Sequence, residues 1–532
     1  MLLRALLATI AAARGALGGA LWPQPQAVVF SASSYTIDAR FFTFNVSGSA
    51  NPASAVLQDA LLRYAALAFV RVPPTAPLNA SLFPPAGALV SLAIIVQSAD
   101  ETLALATSEN YTLAIGGGAA TLAADTVYGA VRGLETFSQL VDFVSAPAAF
   151  EVPAVAVADA PRFAHRGALV DTSRHFLPLP ALLAYLDAMA YTKLNVLHWH
   201  LVDDQSFPYF SPAFPSLSGA GAWDAQHVYG REDVKAVVAY AKARGIRVIP
   251  EFDTPGHTQS WGSIPGLLTQ CYSNASGTPT PVPGVFGPID PTSDAAWTFL
   301  TAFFAEVAAT FPDSYIHVGG DEVSYDCWES NPNVAAWMAA NGIATYAGLE
   351  SYYVQRLINL VAAQGRSVVG WQEIFDNNLT LPSETVVCAW KGGAASGPAE
   401  MGRITSGGFR ALLSAGWYEN YIAYGAQWPS YYALDPSNFT GPGNAALVMG
   451  GELACWGEYV DSTNVISRVF PYGCAIAERL WSAESVRDVA DAAPRLHAHR
   501  CRMISRGLTP EPANGPSFCP QEYIPTYAPP WA

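Results

Sequence analysis

The stretch "YIHVGGDEV", Tyr315 to Val323, ends an apolar run with two glycines and then sets two acids side by side, Asp321 and Glu322. Carboxylates are costly to bury without partners, so a pair at the end of a strand-like run asks for a chemical reason. Other runs end in a similar way. "HRGALVD" leads to Asp171 and then Arg174–His175; "KLNVLHWH" carries His198 and His200 towards Asp203 and Asp204; "IRVIPEFD" carries Glu251 to Asp253 and His257. Later runs reach Trp371–Glu373, Trp390, Trp417–Tyr418, and Trp456 with Glu458. One acid at a strand end is an ordinary cap or ion pair, but polar and aromatic residues at nearly every strand end describe a functional rim. A single Trp is as often core packing; several among carboxylates suit the apolar faces and hydroxyls of a sugar ring.

Two other chemistries compete. "HWH" puts two imidazoles on one face of a strand, as metal-dependent barrel hydrolases do, with His257 and Asp321 as further ligands. The run lacks a clear remaining ligand set, which favours satisfied barrel-interior histidines and no metal. Serine chemistry needs a G-x-S-x-G elbow after a strand, and the sequence has none there.

The elements that would hold such a rim begin at about Phe163, where strands alternate with helices. Eight strand candidates follow: "HRGALVD", "KLNVLHWH", "IRVIPEFD", "YIHVGGD", "SVVGWQE", "TVVCAW", "FRALLSA" and "LVMGGELACW". Several intervening helices stop at a Gly just before the next strand, as at Gly245 and Gly365. This pattern predicts a closed (β/α)8 TIM barrel over residues 159–532, with its chemistry at the C-terminal strand ends. An open doubly wound sheet would call for a Gly-rich phosphate loop after the first strand, which is absent. Residues 21–158 read as a small α+β domain. "SLAIIVQSA" and "YTLAIGGGAATLAA" are strand-like, "TVYGAVRGLETFSQLV" has helical spacing, and no chemical cluster appears, which makes it a support.

With 532 residues, 51% hydrophobic and only 13% charged, the chain can bury a large core. A net charge of −16 disfavours nucleic acid and anionic membranes as partners. Residues 1–20 combine an early Arg, a short apolar stretch and small residues, the pattern of a cleaved signal peptide rather than a span. Six glycosylation sequons stand at Asn45, Asn79, Asn110, Asn274, Asn378 and Asn438. Seven cysteines fit an oxidising compartment with a few disulfides and at least one free thiol. The expected destinations are the extracellular space or a lysosome-like or vacuolar lumen.

The motifs "HRGALVDTSRHF", "KLNVLHWHLVDD", "IRVIPEFDTPGH", "HVGGDEV", "GWQEIFDN", "LLSAGWY" and "ACWGEYVD" occur in one order that resembles glycoside hydrolase family 20. The similarity is greatest to the eukaryotic lysosomal β-N-acetylhexosaminidases. It runs from "LWPQPQ" to the last Cys-containing segment. The resemblance implies cofactor-free removal of terminal β-linked N-acetylhexosamine with retention, assisted by the substrate's own acetamide. It implies Glu322 as acid–base and Asp321 as the group that orients the acetamide. Trp371, Trp390 and Trp456 would wall the acetamide, and the Tyr418 hydroxyl would hold its carbonyl oxygen. Arg166 and Glu458 would bind sugar hydroxyls, with Asp203 and His257 behind the acid. A closed apolar pocket and Asp321 are expected to raise the Glu322 pKa. Asp203 is taken over Asp204 as the inward acid, against strict strand alternation. Disulfides Cys271–Cys327 and Cys501–Cys519 are also implied, leaving Cys388, Cys455 and Cys474 without obvious partners. Asn420 and Tyr421 fall where family members differ, and no Arg there favours an acidic sugar. Substrate glycans with a neutral terminal hexosamine and a homodimer are the expected partners. A binding protein that lost catalysis is the reading from another class, opposed by intact Asp321, Glu322 and Tyr418.

Overall fold

The computed structural model describes residues 20–523 except 51–53, 71–86, 146–147, 276, 378 and 440. The leader, apart from Ala20, and the sequons at Asn79 and Asn378 lie outside the described residues. The other four sequon asparagines are exposed.

The N-terminal part has the strands β1 (Ala27–Ile37), β2 (Thr43–Gly48), β3 (Ser91–Val96), β4 (Tyr111–Gly116), β5 (Ala119–Ala124), β6 (Asp142–Ser145) and β7 (Ala148–Asp159). They form a seven-stranded sheet ordered β1-β7-β4-β5-β3-β2, with β6 also paired to β7. Along β4 the side chains alternate buried and exposed, and Tyr111, Leu113 and Ile115 enter a core shared with two helices. One is Val127–Leu140, capped by Thr126, whose side chain accepts from Gly129 N–H. The other, Ala55–Leu67, is one more helix than the sequence reading assigned. Val127–Leu140 is buried along its whole length because its far side meets the barrel. There Arg132 donates to the carbonyls of Arg244 and Gly245 at 3.2 and 2.8 Å.

The barrel strands are β8 (His165–Asp171), β9 (Val196–Val202), β10 (Arg247–Phe252), β13 (Tyr315–His317), β14 (Ser367–Trp371), β15 (Val386–Ala389), β16 (Arg410–Leu413) and β17 (Val448–Cys455). All pair in parallel and β17 closes on β8, so the eight runs read from the sequence form the predicted barrel. Every residue of β8, β9 and β10 is buried, as expected where helices cover one face and the barrel interior the other. The glycines that stop helices before β10 and β14, Gly245 and Gly365, have φ of 67° and 72°.

Between β10 and β13 lies an antiparallel pair that the sequence reading did not assign, β11 (Leu268–Ser273) and β12 (Thr280–Ile289). Pro281, Pro283, Gly284 and Pro288 disguise it, since such residues are depleted in strands. Cys271 of β11 is bonded to Cys327, just beyond the Asp321–Glu322 segment, and Cys501 to Cys519. Cys388, Cys455 and Cys474 are free and buried.

Candidate active site

The placing of the paired acids is decided locally by the glycines before them. β13 ends at His317, and the chain turns through positive φ at Gly319 (68°) and Gly320 (92°). A Cβ on Gly319 would stand 1.6 Å from Asp253 Oδ1, so only glycine fits this turn. Gly320 N–H donates to the same oxygen at 3.0 Å. Glu322 itself has φ 51°, and His257, which faces it, has φ 55°. Non-glycine residues held in the left-handed region cluster at functional sites.

These turns open a cavity of about 230 Å³ at the C-terminal end of the barrel. Trp371, Trp390, Tyr418 and Trp456 line it together with Asp203, His257, Asp321, Glu322 and Glu458, all predicted from the sequence. Arg174, Asp253, Asn420 and Tyr421 line it too.

Arg166 does not. It is the second residue of β8, at the N-terminal end of the barrel, fully buried and bonded to Glu109 at 2.6 Å. Its other nitrogens donate to the carbonyls of Lys193 and Phe163. The guanidinium in the cavity belongs to Arg174, which follows the exit of β8 and pairs with Asp171 at 3.0 Å and Asp203 at 2.8 Å. The barrel's polarity contained this answer: a residue entering a strand faces the opposite end from one leaving it.

Asp203 points inward. It accepts from His200 Nε2 at 2.9 Å and His257 Nδ1 at 3.3 Å, whereas Asp204 takes the backbone N–H of Gln259. Burial opposes the Asp203 carboxylate, but these histidines hold its pKa well below the usual range. For His257 burial works against the charge, and Asp203 and Asp321 outweigh it, raising its pKa to about 9. His257 Nε2 lies 3.7 Å from Glu322 and 3.8 Å from Asp321. The Glu322 side chain is 58% exposed, so the closed apolar surrounding expected for it is absent; its charged neighbour is the imidazole.

Asp321 is the buried member of the pair. Burial first, then Glu251 and Glu373, push its pKa up to about 7, with His257 opposing. Asp253 beside it is also raised, by burial and then by Asp321 itself. Asp321 lines the cavity, and its Oδ1 is buried without a hydrogen-bond partner. The indoles near it are fixed by carboxylates: Trp371 Nε1 donates to Glu251 at 2.8 Å and Trp390 Nε1 to Glu373 at 3.0 Å.

Among the described residues, three groups at the barrel strands and their ends have cation-site donor types within 4.8 Å of one another: His198–Glu251–His317, Asp253–His257–Asp321 and Asp203–Asp204–His257. In the first, His198 spends both ring nitrogens on Glu251 and Glu452, the satisfied interior role foreseen for it. In the second, His257 is turned towards Asp203.

A TIM barrel with aromatic walls, a strained acid and a free buried acceptor at its strand ends defines a glycosidase-type site. Comparison with known proteins agrees. The family described as "Glycosyl hydrolase family 20, catalytic domain" matches residues 163–484, and "beta-acetyl hexosaminidase like" matches residues 21–140. Beta-hexosaminidase subunit alpha of Rattus norvegicus is 44% identical over 521 residues, 97% of each chain. Beta-hexosaminidase subunit beta of Homo sapiens is 43% identical over 501 residues, 93% of this chain and 89% of that one. Among solved structures, a chitobiase from Flavobacterium johnsoniae aligns with TM-score 0.80 and 30% identity, covering 92% of this chain and 73% of that one. The chain belongs to glycosyl hydrolase family 20. It is a glycoside hydrolase of the β-hexosaminidase type.

Proposed function

We propose that this protein removes terminal non-reducing β-linked N-acetylglucosamine or N-acetylgalactosamine from glycans by substrate-assisted, retaining catalysis. The observation that carries the reading is the buried, unpartnered Asp321 Oδ1 beside fixed indoles and next to a strained, exposed Glu322. Adjacent acids cannot flank one bond as a separate acid and nucleophile, whereas the 2-acetamido group lies next to the glycosidic bond and can attack in place of a protein carboxylate. Asp321 accepts the acetamido N–H and stabilises the positive charge that grows on it. The acetamido oxygen bonds to the anomeric carbon as the glycosidic bond breaks, and the leaving oxygen takes the Glu322 proton. Water then opens the oxazolinium ring, giving its proton to Glu322. Trp371, Trp390 and Trp456 wall the acetamide, and the Tyr418 hydroxyl holds its carbonyl oxygen. Arg174 takes the role the sequence reading gave to Arg166, binding sugar hydroxyls with Glu458. His257, on Asp203, sits behind the acid.

Export through the secretory pathway to a lysosome-like or vacuolar lumen, or outside the cell, is supported by the leader pattern, the exposed sequons and the two disulfides. Among the described residues no helix is long and apolar enough to cross a membrane. The expected assembly is a homodimer, a reading favoured by exposed Tyr421, Ile422 and Tyr424 beside the cavity mouth.

The test is hydrolysis of an aryl β-N-acetylglucosaminide beside the matching aryl β-glucoside, with a chelator present. Cleavage of only the acetamido sugar is expected. Equal cleavage of both would mean that a protein carboxylate attacks, and the Asp321 assignment would fall. Activity restored only by metal would move the chemistry to the histidines.

A further inference from the structure

Behind the cavity, acids and imidazoles alternate through the barrel interior. From Glu322 the chain of contacts runs to His257 (3.7 Å), Asp203 (3.3 Å), His200 (2.9 Å), Glu251 (2.6 Å), His198 (2.9 Å) and Glu452 (3.0 Å). Glu251 is its branch point. One carboxylate oxygen, Oε2, accepts from both His198 and His200; the other, Oε1, accepts from Trp371 Nε1 and stands 3.0 Å from His317 Nδ1.

We infer that Glu251 is a positioning residue that ties the two halves of the site together, holding the acid's support through His200 and the acetamide wall through Trp371. This rests on the roles proposed for Glu322 and Trp371. Scaffolding alone does not call for a charge here, because elsewhere the interior is filled by Leu169, Val196, Ile249 and Leu412. A buried charge network gives no more stability than apolar packing of the same volume. What it gives here is direction: each of its two oxygens is engaged by a side chain that itself touches the site or a site residue.

The charged and titratable groups facing Glu251 are His198 and His200 from β9, His317 from β13, Cys388 from β15, Asp321 beyond β13 and Asp253 beyond its own strand. Burial opposes its carboxylate, but the three histidines keep its pKa well below the usual value. In return Glu251 overcomes the burial of His200 and raises its pKa to about 10. The imidazolium so kept holds Asp203 ionised, and Asp203 holds His257 charged behind Glu322. Trp371 receives no charge from this chain, only a fixed ring plane.

Glu251→Gln tests the idea, because an amide must turn an N–H towards one of the two donor pairs. The expected result is a loss on the order of 100-fold in kcat for an alkyl β-N-acetylglucosaminide, whose departure needs a proton, through misplacement of the acid's support. A 4-nitrophenyl glycoside, with a good leaving group, should lose about ten times less. Without the Glu251 anion His200 and then His257 give up their protons more readily; the cation 3.7 Å from Glu322 is then lost, and the alkaline limb of the pH–rate profile, where the acid gives up its proton, moves to higher pH. Equal losses on both substrates with an unmoved limb would mean only a smaller folded fraction and would overturn the inference. Should the variant not fold, His200→Gln and Trp371→Phe cut one arm each. His200→Gln is expected to widen the aryl-to-alkyl ratio, and Trp371→Phe to raise KM without widening it; the absence of that split overturns the inference. Glu322→Gln in the same assay separates the two levels. If it fails to widen the ratio, the acid assignment falls and takes this inference with it. If it widens the ratio and Glu251→Gln does not, this inference falls alone.

Discussion

Arg166 enters β8 and Arg174 follows its exit, and the two arginines sit in buried charge clusters at opposite ends of the barrel. At the entry end every carboxylate of the cluster has a cationic partner. Glu109 lies between Arg132 and Arg166 at 2.6 Å from each, and these guanidinium groups overcome its burial to lower its pKa. Lys193 pairs with Asp159 at 2.9 Å, and both Lys193 and Arg166 lie over the ring of Trp481. Glu109 and Asp159 come from the first sheet's region, so this matched cluster is the joint between the two parts of the chain. At the exit end Arg174 is spent on Asp171 and Asp203, and Asp253 and Asp321 face each other with no guanidinium among the described residues and only the His257 imidazole, 3.8 Å from Asp321, set against them. Their pKa values are raised instead. Matched buried charge makes a joint; unmatched buried charge is held there by the fold and is available for chemistry.

The contrast predicts that activity and stability separate by end. Glu322→Gln should lower kcat/KM by about 10² to 10⁴-fold on an alkyl glycoside while the melting temperature stays near wild type, since an exposed acid holds little of the fold together. Arg166→Met should do the reverse. Removing one partner of a buried ion pair costs about 3–5 kcal/mol, read by denaturant unfolding, while kcat per folded molecule is kept. An Arg166 variant that kept full stability but lost kcat would return that residue to the site and break the comparison.

The barrel was legible because parallel strands covered on both faces are continuous apolar runs, and glycines mark the helix ends before them. The aromatic and acidic members of the site were legible for the same reason, since each follows such a run. Arg166 was misplaced because a motif match says that a residue belongs to a family, while only strand direction says which end of the barrel it faces. Asp253 was named at a strand end but given no role, since a carboxylate next to another in space leaves no trace in spacing along the chain. The antiparallel pair β11–β12 was hidden by its prolines.

A smaller effect sharpens the claim of unmatched charge. The folded pKa of Asp321 is about 7, above the value near 3.8 expected for the unfolded chain, so folding takes up a proton there. Its ionisation therefore weighs against the fold increasingly as pH rises from about 4 to 7, and fully above that. Asp321→Asn should raise the melting temperature by a few degrees at pH 7.5 while abolishing useful turnover, and the gain should vanish near pH 4. The matched acid Glu109 has a lowered pKa, so its contribution has the opposite sign: stability present at neutral pH and lost on acidification. If Asp321→Asn were destabilising at pH 7.5, the two ends would not differ in the way described.

The smallest expected effect comes from two neighbours at the end of β9. Strict alternation would turn Asp203 and Asp204 to opposite faces, with Asp204 in phase with His198 and His200. The register between β9 and β10 shifts at this point: His200 pairs with Glu251, Leu201 is skipped, and Val202 pairs with Phe252. That skipped position frees the turn after Val202 to bring Asp203 onto His200 and His257. The Asp204 carboxylate, partly exposed, accepts the Gln259 backbone N–H. Asp204→Asn should therefore change kcat/KM less than about twofold and stability by no more than about 1 kcal/mol, the worth of one ordinary hydrogen bond. Asp203→Asn should cost activity far more, because His200, His257 and Arg174 all converge on that carboxylate. Equal losses from the two substitutions, measured side by side, would mean that alternation governs the strand end after all and that the polar chain behind Glu322 does not pass through Asp203.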